Sequence, residues 1–251
     1  MFCSNPFFGR RVFVNYKAIT PRVWHLEEDY RDYCTLVRGD KLAILWDTGQ
    51  GKKDLRAFLE ETLDTPYIVL NSHGHDDHIG GNHRFGTVYA HRADWHLLAS
   101  HARMTTGQPP AYEVEELNPG MVFDLGGLQA KVISLAGHTR GSVGLLLEEE
   151  GLLLAGDGLN PTLLMLGRES APVSVLKETL RTVWDLPFDK YLASHYPTLQ
   201  DKKMVRAHLN HLDCLRTEPP SHPGPYGPRI CRSIHKDPLG RSVIHIDRML
   251  L

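Results

Sequence analysis

The chain lacks the marks of a membrane protein, a nucleic-acid binder or a disulfide-stapled secreted domain. No apolar run approaches the ~20 residues needed to cross a bilayer. The opening MFCSNPFFGRRVF has no charged region followed by a long apolar segment, so no secretory leader is expected. Only four cysteines are present, Cys3, Cys34, Cys214 and Cys231, with no CxxC pair among them. Neither a disulfide framework nor a thiolate zinc site is expected, and the thiols read as reduced in a cytoplasmic protein. The formal net charge is -2 and no basic run occurs, which leaves no electrostatic footprint for a nucleic acid. No periodicity marks an internal repeat.

What is present is an ordinary globular composition, 41% hydrophobic and 23% charged over 251 residues, enough chain to bury a sizeable core. Strand-like and helix-like segments alternate along it. Residues 11–19 and 22–26 read as strands, as do 33–38 and 41–46, which are joined by the turn Arg38-Gly39-Asp40. Residues 52–63 place Leu55, Phe58, Leu59 and Leu63 on one helical face. A strand at 67–70, a short helix after Asp77 broken at Gly80-Gly81, a strand at 88–90 and a helix at 92–102 follow. Residues 104–119, with Pro109-Pro110 and Asn118-Pro119, read as loop. Strands are expected at 121–124, 128–134, 143–148 and 151–155. A helix at 174–186 has Leu176, Leu180, Val183 and Trp184 inward and Ser174 as its N-cap. A strand at 190–193 and a helix at about 200–215 complete the run. Residues 217–228 are rich in Pro and Gly and read as an irregular connection, and the tail 229–247 reads as a strand pair. The fold class is therefore α/β. Two mixed sheets pack face to face with helices outside over residues 1–216, and residues 217–251 form a C-terminal extension packed on the same domain.

The densest chemistry is His73-Gly74-His75-Asp76-Asp77-His78, three imidazoles and two carboxylates in six residues. A folding core has no use for such density. In an extended or tightly looped backbone His73 and His75 project to one side and can bind one ion, while Asp77 and His78 can turn toward a second. Neutral imidazole and carboxylate suit borderline and hard divalent metals, zinc foremost. Three further polar residues each follow an apolar strand: His138 after Leu135, Asp157 after Leu152-Leu153-Leu154, and His195 after the strand at 190–192. Strand ends are where α/β folds carry their chemistry. Together these residues supply five His and two Asp, a sufficient set for two metal ions. His83, His91, His96, His101, His208 and His211 have no ligand partners at suitable spacing and read as surface or helix-face residues.

This pattern resembles the metallo-β-lactamase fold superfamily. HxHxDH is present in full as His73, His75, Asp77 and His78, followed by His138 in a GHT loop, Asp157 in a GD turn and His195. The Asp47-Thr48-Gly49 turn and Gly80-Gly81-Asn82 match as well, and the resemblance runs over roughly residues 15–200. It implies an αββα four-layer sandwich with the metals at one edge, between the sheets. Carried over by position, it implies that His73, His75 and His138 hold one metal, that Asp77, His78 and His195 hold the other, and that Asp157 bridges both. The implied cofactors are two divalent ions, zinc by preference, with iron or manganese open.

Two such ions about 3.5 Å apart share a hydroxide at neutral pH, which serves as nucleophile, so no Ser or Cys nucleophile is needed. Asp77 would ligate and orient that hydroxide. Tyr196, beside His195, is a candidate donor to a developing oxyanion, with a packed aromatic as the plainer role. Asp47 is a candidate to support the His loop from behind, or a strand-ending turn residue. Asp157 argues against an antibiotic-hydrolysing member, because the resemblance implies Cys or another residue there in those enzymes. The spacing from Asp157 to His195 leaves no room for a large nuclease insertion, and a flavin domain is absent. What remains is a metal-dependent hydrolase of a small ester, thioester, lactone or phosphodiester, with glyoxalase-II-like thioesterases and lactonases as the nearest analogies. The expected partner is thus a small-molecule substrate, with no nucleic acid and no membrane. An iron-dependent oxidoreductase of the sulfur dioxygenase kind uses the same ligands and is the alternative. A non-catalytic binding protein fits less well, because every ligand is intact. The apolar segment 160–166 reads as core, with a substrate wall or a homodimer contact as the other readings, and residues 104–119 and 217–228 are lid candidates.

Overall fold

Alternation of apolar residues decides the layers. In β10 (Val143–Leu147) and β11 (Leu152–Leu154) every residue is buried. Leu145, Leu147, Leu152 and Leu154 face one core, while Leu146 and Leu153 face another. Strands apolar on both faces must be covered on both. A computed structural model describes residues 13–215 and 229–251 and shows what covers them.

The first sheet has seven strands in chain order, β1 (Asn15–Ala18), β2 (Val23–Asp29), β3 (Asp32–Arg38), β4 (Ala43–Trp46), β5 (Tyr67–Leu70), β6 (Thr87–Ala90) and β7 (Glu113–Glu116). Its first four strands are antiparallel neighbours, and β4 to β7 are parallel. The second sheet runs in the order β14 (Gln200–Asp201), β13 (Lys190–Leu192), β11, β10, β9 (Gln129–Ser134), β8 (Val122–Asp124). Val37, Ile44 and Trp46 of the first sheet meet Leu145, Leu147, Leu152 and Leu154 of the second in the inter-sheet core. On the outer face of the first sheet, Leu36, Leu45 and Val69 pack on α1 (Leu55–Thr62), α2 (Asp76–Ile79) and α3 (Trp95–Thr106) through Phe58, Ile79 and Leu98. On the far side of the second sheet, Leu146 and Leu153 pack on α4 (Val173–Trp184) and α5 (Lys203–Asp213). This is the αββα sandwich. Among the described residues no helix is long and apolar enough to cross a membrane.

Several elements depart from the sequence reading. A third sheet is present: β12 (Thr162–Met165) pairs in parallel with β16 (Gly240–Asp247), which pairs antiparallel with β15 (Ile230–Asp237). The segment 160–166 is thus partly a strand, with Leu163 and Met165 buried in the α4–α5 core and Leu164 turned the other way. Residues 104–119 are not wholly loop, because α3 runs to Thr106 and β7 adds a parallel edge strand. The β7 sequence Glu-Val-Glu-Glu hides that strand, because the charges that protect an edge also erase the apolar signal. Ser174 is not the N-cap of α4. The helix begins at Val173, one residue earlier, after Pro172, whose fixed φ of -56° presets its start without a side-chain cap. Residues 11–12 of the first expected strand, and the connection 217–228, lie outside the described residues.

Candidate metal centre

Strands β4 and β5 are parallel, as are β9, β11 and β13, so their C-terminal ends line one edge of the sandwich. The chain leaves those ends as Asp47, His73, His138, Asp157 and His195. Backbone hydrogen bonds stitch the two sheets together there, from Val143 N–H to the Ser72 carbonyl at 2.9 Å and from Tyr33 N–H to the Ser194 carbonyl at 2.9 Å. All seven sequence candidates therefore meet in one place. Their ligating atoms form three sets, each within 4.8 Å: His73, His75 and His138; His73, His78 and Asp157; and Asp77, His78 and His195.

Asp157 sits between the outer sets. Its Oδ1 lies 3.6 Å from His78 Nε2, and its Oδ2 lies 3.6 Å from His138 Nε2 and 3.2 Å from His195 Nε2. Asp77 approaches His78 Nε2 at 3.7 Å and His195 Nε2 at 3.4 Å. His75 Nδ1 is 3.1 Å from His73 Nε2 and 2.8 Å from His138 Nε2.

The outward nitrogens decide the tautomers. His78 Nδ1–H donates to Asp47 Oδ2 at 3.0 Å, His138 Nδ1–H to the Leu164 carbonyl at 2.6 Å, and His195 Nδ1–H to the Arg31 carbonyl at 2.8 Å. The Ser72 hydroxyl donates to Asp47 Oδ2 at 2.7 Å, so its oxygen accepts His73 Nδ1–H at 3.0 Å. With Nδ1–H turned outward, each ring presents Nε2 to the cluster, the atom a ligating imidazole uses. His78 Nε2 and Asp157 Oδ1 are buried with no hydrogen-bond partner. Such orphaned buried polar atoms are costly unless a partner meets them. The residues fit a divalent cation.

Electrostatics give the same sign. Burial, with the other imidazoles nearby, pushes His73 well down and His75 to about 3, which keeps both neutral. Burial also opposes a charge on His78, yet Asp157, Asp47 and Asp77 overcome it and raise that ring to about 10. His195 follows the same pattern and rises to about 9 beside Asp157. The carboxylates thus call for positive charge at the centre of the cluster.

A second ring of residues holds the ligand loops. Asp47 is buried, with φ of 64°, a left-handed conformation that Asp tolerates better than most residues. Its Oδ1 accepts from Ser72 N–H at 2.7 Å, and its Oδ2 from Ser72 Oγ and from His78. It therefore supports the His loop from behind. Asp94 carried no sequence signal, yet its buried carboxylate clamps two ligand loops together. It accepts from Gly74 N–H at 3.0 Å, Thr139 Oγ1 at 2.6 Å and Gly141 N–H at 2.9 Å. A Cβ on Gly141 would lie 2.5 Å from the Asp94 carboxyl carbon, so glycine is needed for this approach. Asn82 of the Gly-Gly-Asn segment exchanges side-chain bonds with Asn71 and accepts from Thr48 Oγ1, which seats α2 against the strand ends. Tyr196 packs its ring against the α4–α5 core, and its carbonyl accepts from His25 Nε2 at 3.1 Å. Of the remaining histidines, His83 and His96 are exposed and His101 pairs with Asp76, but His208 and His211 are buried on the inner face of α5.

The family model described as the metallo-β-lactamase superfamily matches residues 30–195, which contain every ligand candidate together with Asp47 and Asp94. The chain belongs to the metallo-β-lactamase superfamily. A human protein named acyl-coenzyme A thioesterase MBLAC2 is 25% identical over 215 residues, covering 70% of this chain and 77% of that protein. A hydroxyacylglutathione hydrolase of Synechococcus sp. (strain JA-3-3Ab) is 36% identical over 91 residues, 36% of this chain and 34% of that protein. A solved metallo-β-lactamase from Pontibacter korlensis shares the fold, with a TM-score of 0.63 at 20% identity over 81% of this chain and 100% of that one. Within the superfamily, relatives named as hydrolases make this chain a hydrolytic enzyme.

Proposed function

We propose that the chain is a two-metal hydrolase of small acyl esters, with thioesters first among them. In this reading His73, His75 and His138 would hold one divalent ion and Asp77, His78 and His195 the other, with Asp157 placed to serve either. The observation that carries it is the convergence of the inward Nε2 atoms of His73, His78, His138 and His195 with the carboxylates of Asp77 and Asp157, with two buried polar atoms orphaned. When bound, two divalent ions, zinc by ligand preference, lower the pKa of water toward neutrality and polarise an acyl carbonyl.

The chain's own groups divide the remaining work. Asp157 is almost fully buried and acts as the fixed anchor, held in the ionised form against its burial by the His78, His195 and His138 rings. Asp77 is the open carboxylate of the set, 36% exposed, and meets substrate and water from the solvent side. It is therefore the residue to accept a proton from attacking water and to orient it. Support for an acyl substrate comes from the relatives named as an acyl-coenzyme A thioesterase and a hydroxyacylglutathione hydrolase.

Metal analysis of the chain purified without chelators tests the site, with about two ions per chain expected. A panel of acyl-coenzyme A, S-acylglutathione, lactone and bis-p-nitrophenyl phosphate substrates tests the chemistry, with thioesters turned over fastest and activity lost on chelation. Near-zero metal, with folding and activity indifferent to chelator, would overturn the two-metal reading. A preference for the phosphodiester would overturn the acyl one.

A further inference from the structure

The family match ends at His195, yet the chain beyond it reaches back to the metal centre by two routes. The first is a strand. The carbonyl that fixes His138 belongs to Leu164 of β12, whose only sheet partner among the described residues is β16 of the C-terminal hairpin. Thr162, Leu163, Leu164 and Met165 pair in parallel with Val243, Ile244, His245 and Ile246. Val243 N–H also donates to the Pro161 carbonyl at 3.2 Å. The hairpin thus sets the height of the peptide that orients one metal-ligand candidate.

The second route is a chain of buried hydrogen bonds whose direction can be worked out. His208 Nε2 faces the Asn160 carbonyl at 3.1 Å. A carbonyl only accepts, so Nε2 carries the proton and the Nδ1 of the neutral ring is a lone pair. The Ser242 hydroxyl, 2.8 Å away, must therefore donate to His208 Nδ1. Its oxygen is then free to accept His211 Nδ1–H at 2.7 Å. That leaves His211 Nε2 as acceptor for the Ser233 hydroxyl at 2.7 Å. Burial favours these neutral forms, pushing His208 down to about 3 and His211 to about 4. The relay runs one way, from Ser233 on β15, through His211 on α5 and Ser242 on β16, through His208 on α5, to Asn160. Asn160 is three residues past Asp157, and its N–H faces the Asp157 carbonyl at 3.5 Å.

Apolar side chains at these positions would pack at lower cost than a buried polar chain. The relay instead ends on the peptide loop that carries the shared carboxylate. We propose that the C-terminal hairpin, residues 229–251, is a positioning element of the metal centre, acting on Asp157 through Ser233, His211, Ser242, His208 and Asn160 and on His138 through the β12–β16 ladder. Ser242, His208 and His211 are positioning residues in this scheme and touch no substrate. The inference rests on the two-metal reading of the site.

The test uses the full chain loaded with zinc and mixed with excess chelating dye, so that release of each ion is followed in time. Ser242→Ala removes the middle link and leaves two imidazole nitrogens without a partner. It is expected to release zinc about ten-fold faster, the lower end of what outer-sphere partners of metal ligands contribute. Ser242→Thr restores the hydroxyl and is expected to release at close to the wild-type rate. If Ser242→Ala does not fold, Ser233→Ala at the half-buried end of the relay carries the same expectation. A Ser242→Ala chain that melts at lower temperature but releases zinc at the wild-type rate overturns the proposal and leaves the two-metal reading standing. A wild-type chain that binds no zinc overturns both.

Discussion

Asp94→Asn is the sharpest probe of how the ligand loops are held. The carboxylate accepts three hydrogen bonds, from Gly74 and Thr139 on Oδ2 and from Gly141 on Oδ1. An asparagine keeps the shape but has only one oxygen. Whichever way its amide turns, an NH2 group faces a peptide N–H, and at least one charge-assisted bond, worth about 1.5–3 kcal/mol, is lost. The strain falls on the backbone between His73 and His75 and beside His138, the three residues of one ligand set. Outer-sphere substitutions of this kind cost about 10–100-fold in metal affinity, or about 1.4–2.7 kcal/mol, which matches the loss of that single bond. Competition against a chelating dye, resolving the two ions, measures it. The ion at His73, His75 and His138 is expected to weaken by that factor, with the ion at Asp77, His78 and His195 unchanged. Equal weakening of both ions, or none, would refute the clamp.

Three further outcomes follow from the same geometry. Asp47→Asn removes the charge that faces His78 Nδ1 and leaves one oxygen where two accept from Ser72 and His78, so the Asp77–His78–His195 ion is expected to weaken about 10–100-fold, read by the same competition. Gly141→Ala drives a Cβ to 2.5 Å from the Asp94 carboxyl carbon and is expected to lower stability by about 1–3 kcal/mol, seen as a lower urea midpoint. In the metal-free chain, acid should destabilise the fold below pH 6.5, because burial pushes His208 down to about 3 and His211 and His25 to about 4. With their folded values below the ordinary 6.5, the unfolded chain binds more protons in that window. The stability these three rings contribute is therefore complete above that window and falls as pH drops through it, by up to about 1.4 kcal/mol per unit for each ring. His73 and His75 add in the same sense, and Asp32, which burial raises to about 6, opposes with a single proton. A urea midpoint that stays flat or rises between about pH 6.5 and pH 5 would contradict this account.

The candidate ligand set was legible in the chain because its chemistry is local. Three imidazoles and two carboxylates in six residues cannot serve a core, and His138, Asp157 and His195 each follow an apolar strand that points them at the same edge. The layers were legible for a similar reason: runs such as Leu152-Leu153-Leu154 demand burial on both faces. Asp94 was not, since its partners lie 20, 45 and 47 residues away and nothing beside it in sequence marks a clamp. His208 and His211 read as helix-face residues because helical spacing shows which side chains share a face and not whether a serine from a distant strand waits opposite. β12 read as plain core because a strand is defined by its partner, and that partner lies some eighty residues on, at Val243 to Ile246. The sequence by itself determined the ligand candidates, the layers and the family, all set by spacing and alternation over short distances. Only the tertiary structure decided the tautomer of each ring, the carboxylate that locks the loops and the tail that supports them, because hydrogen bonds between distant segments exist only once the chain has folded.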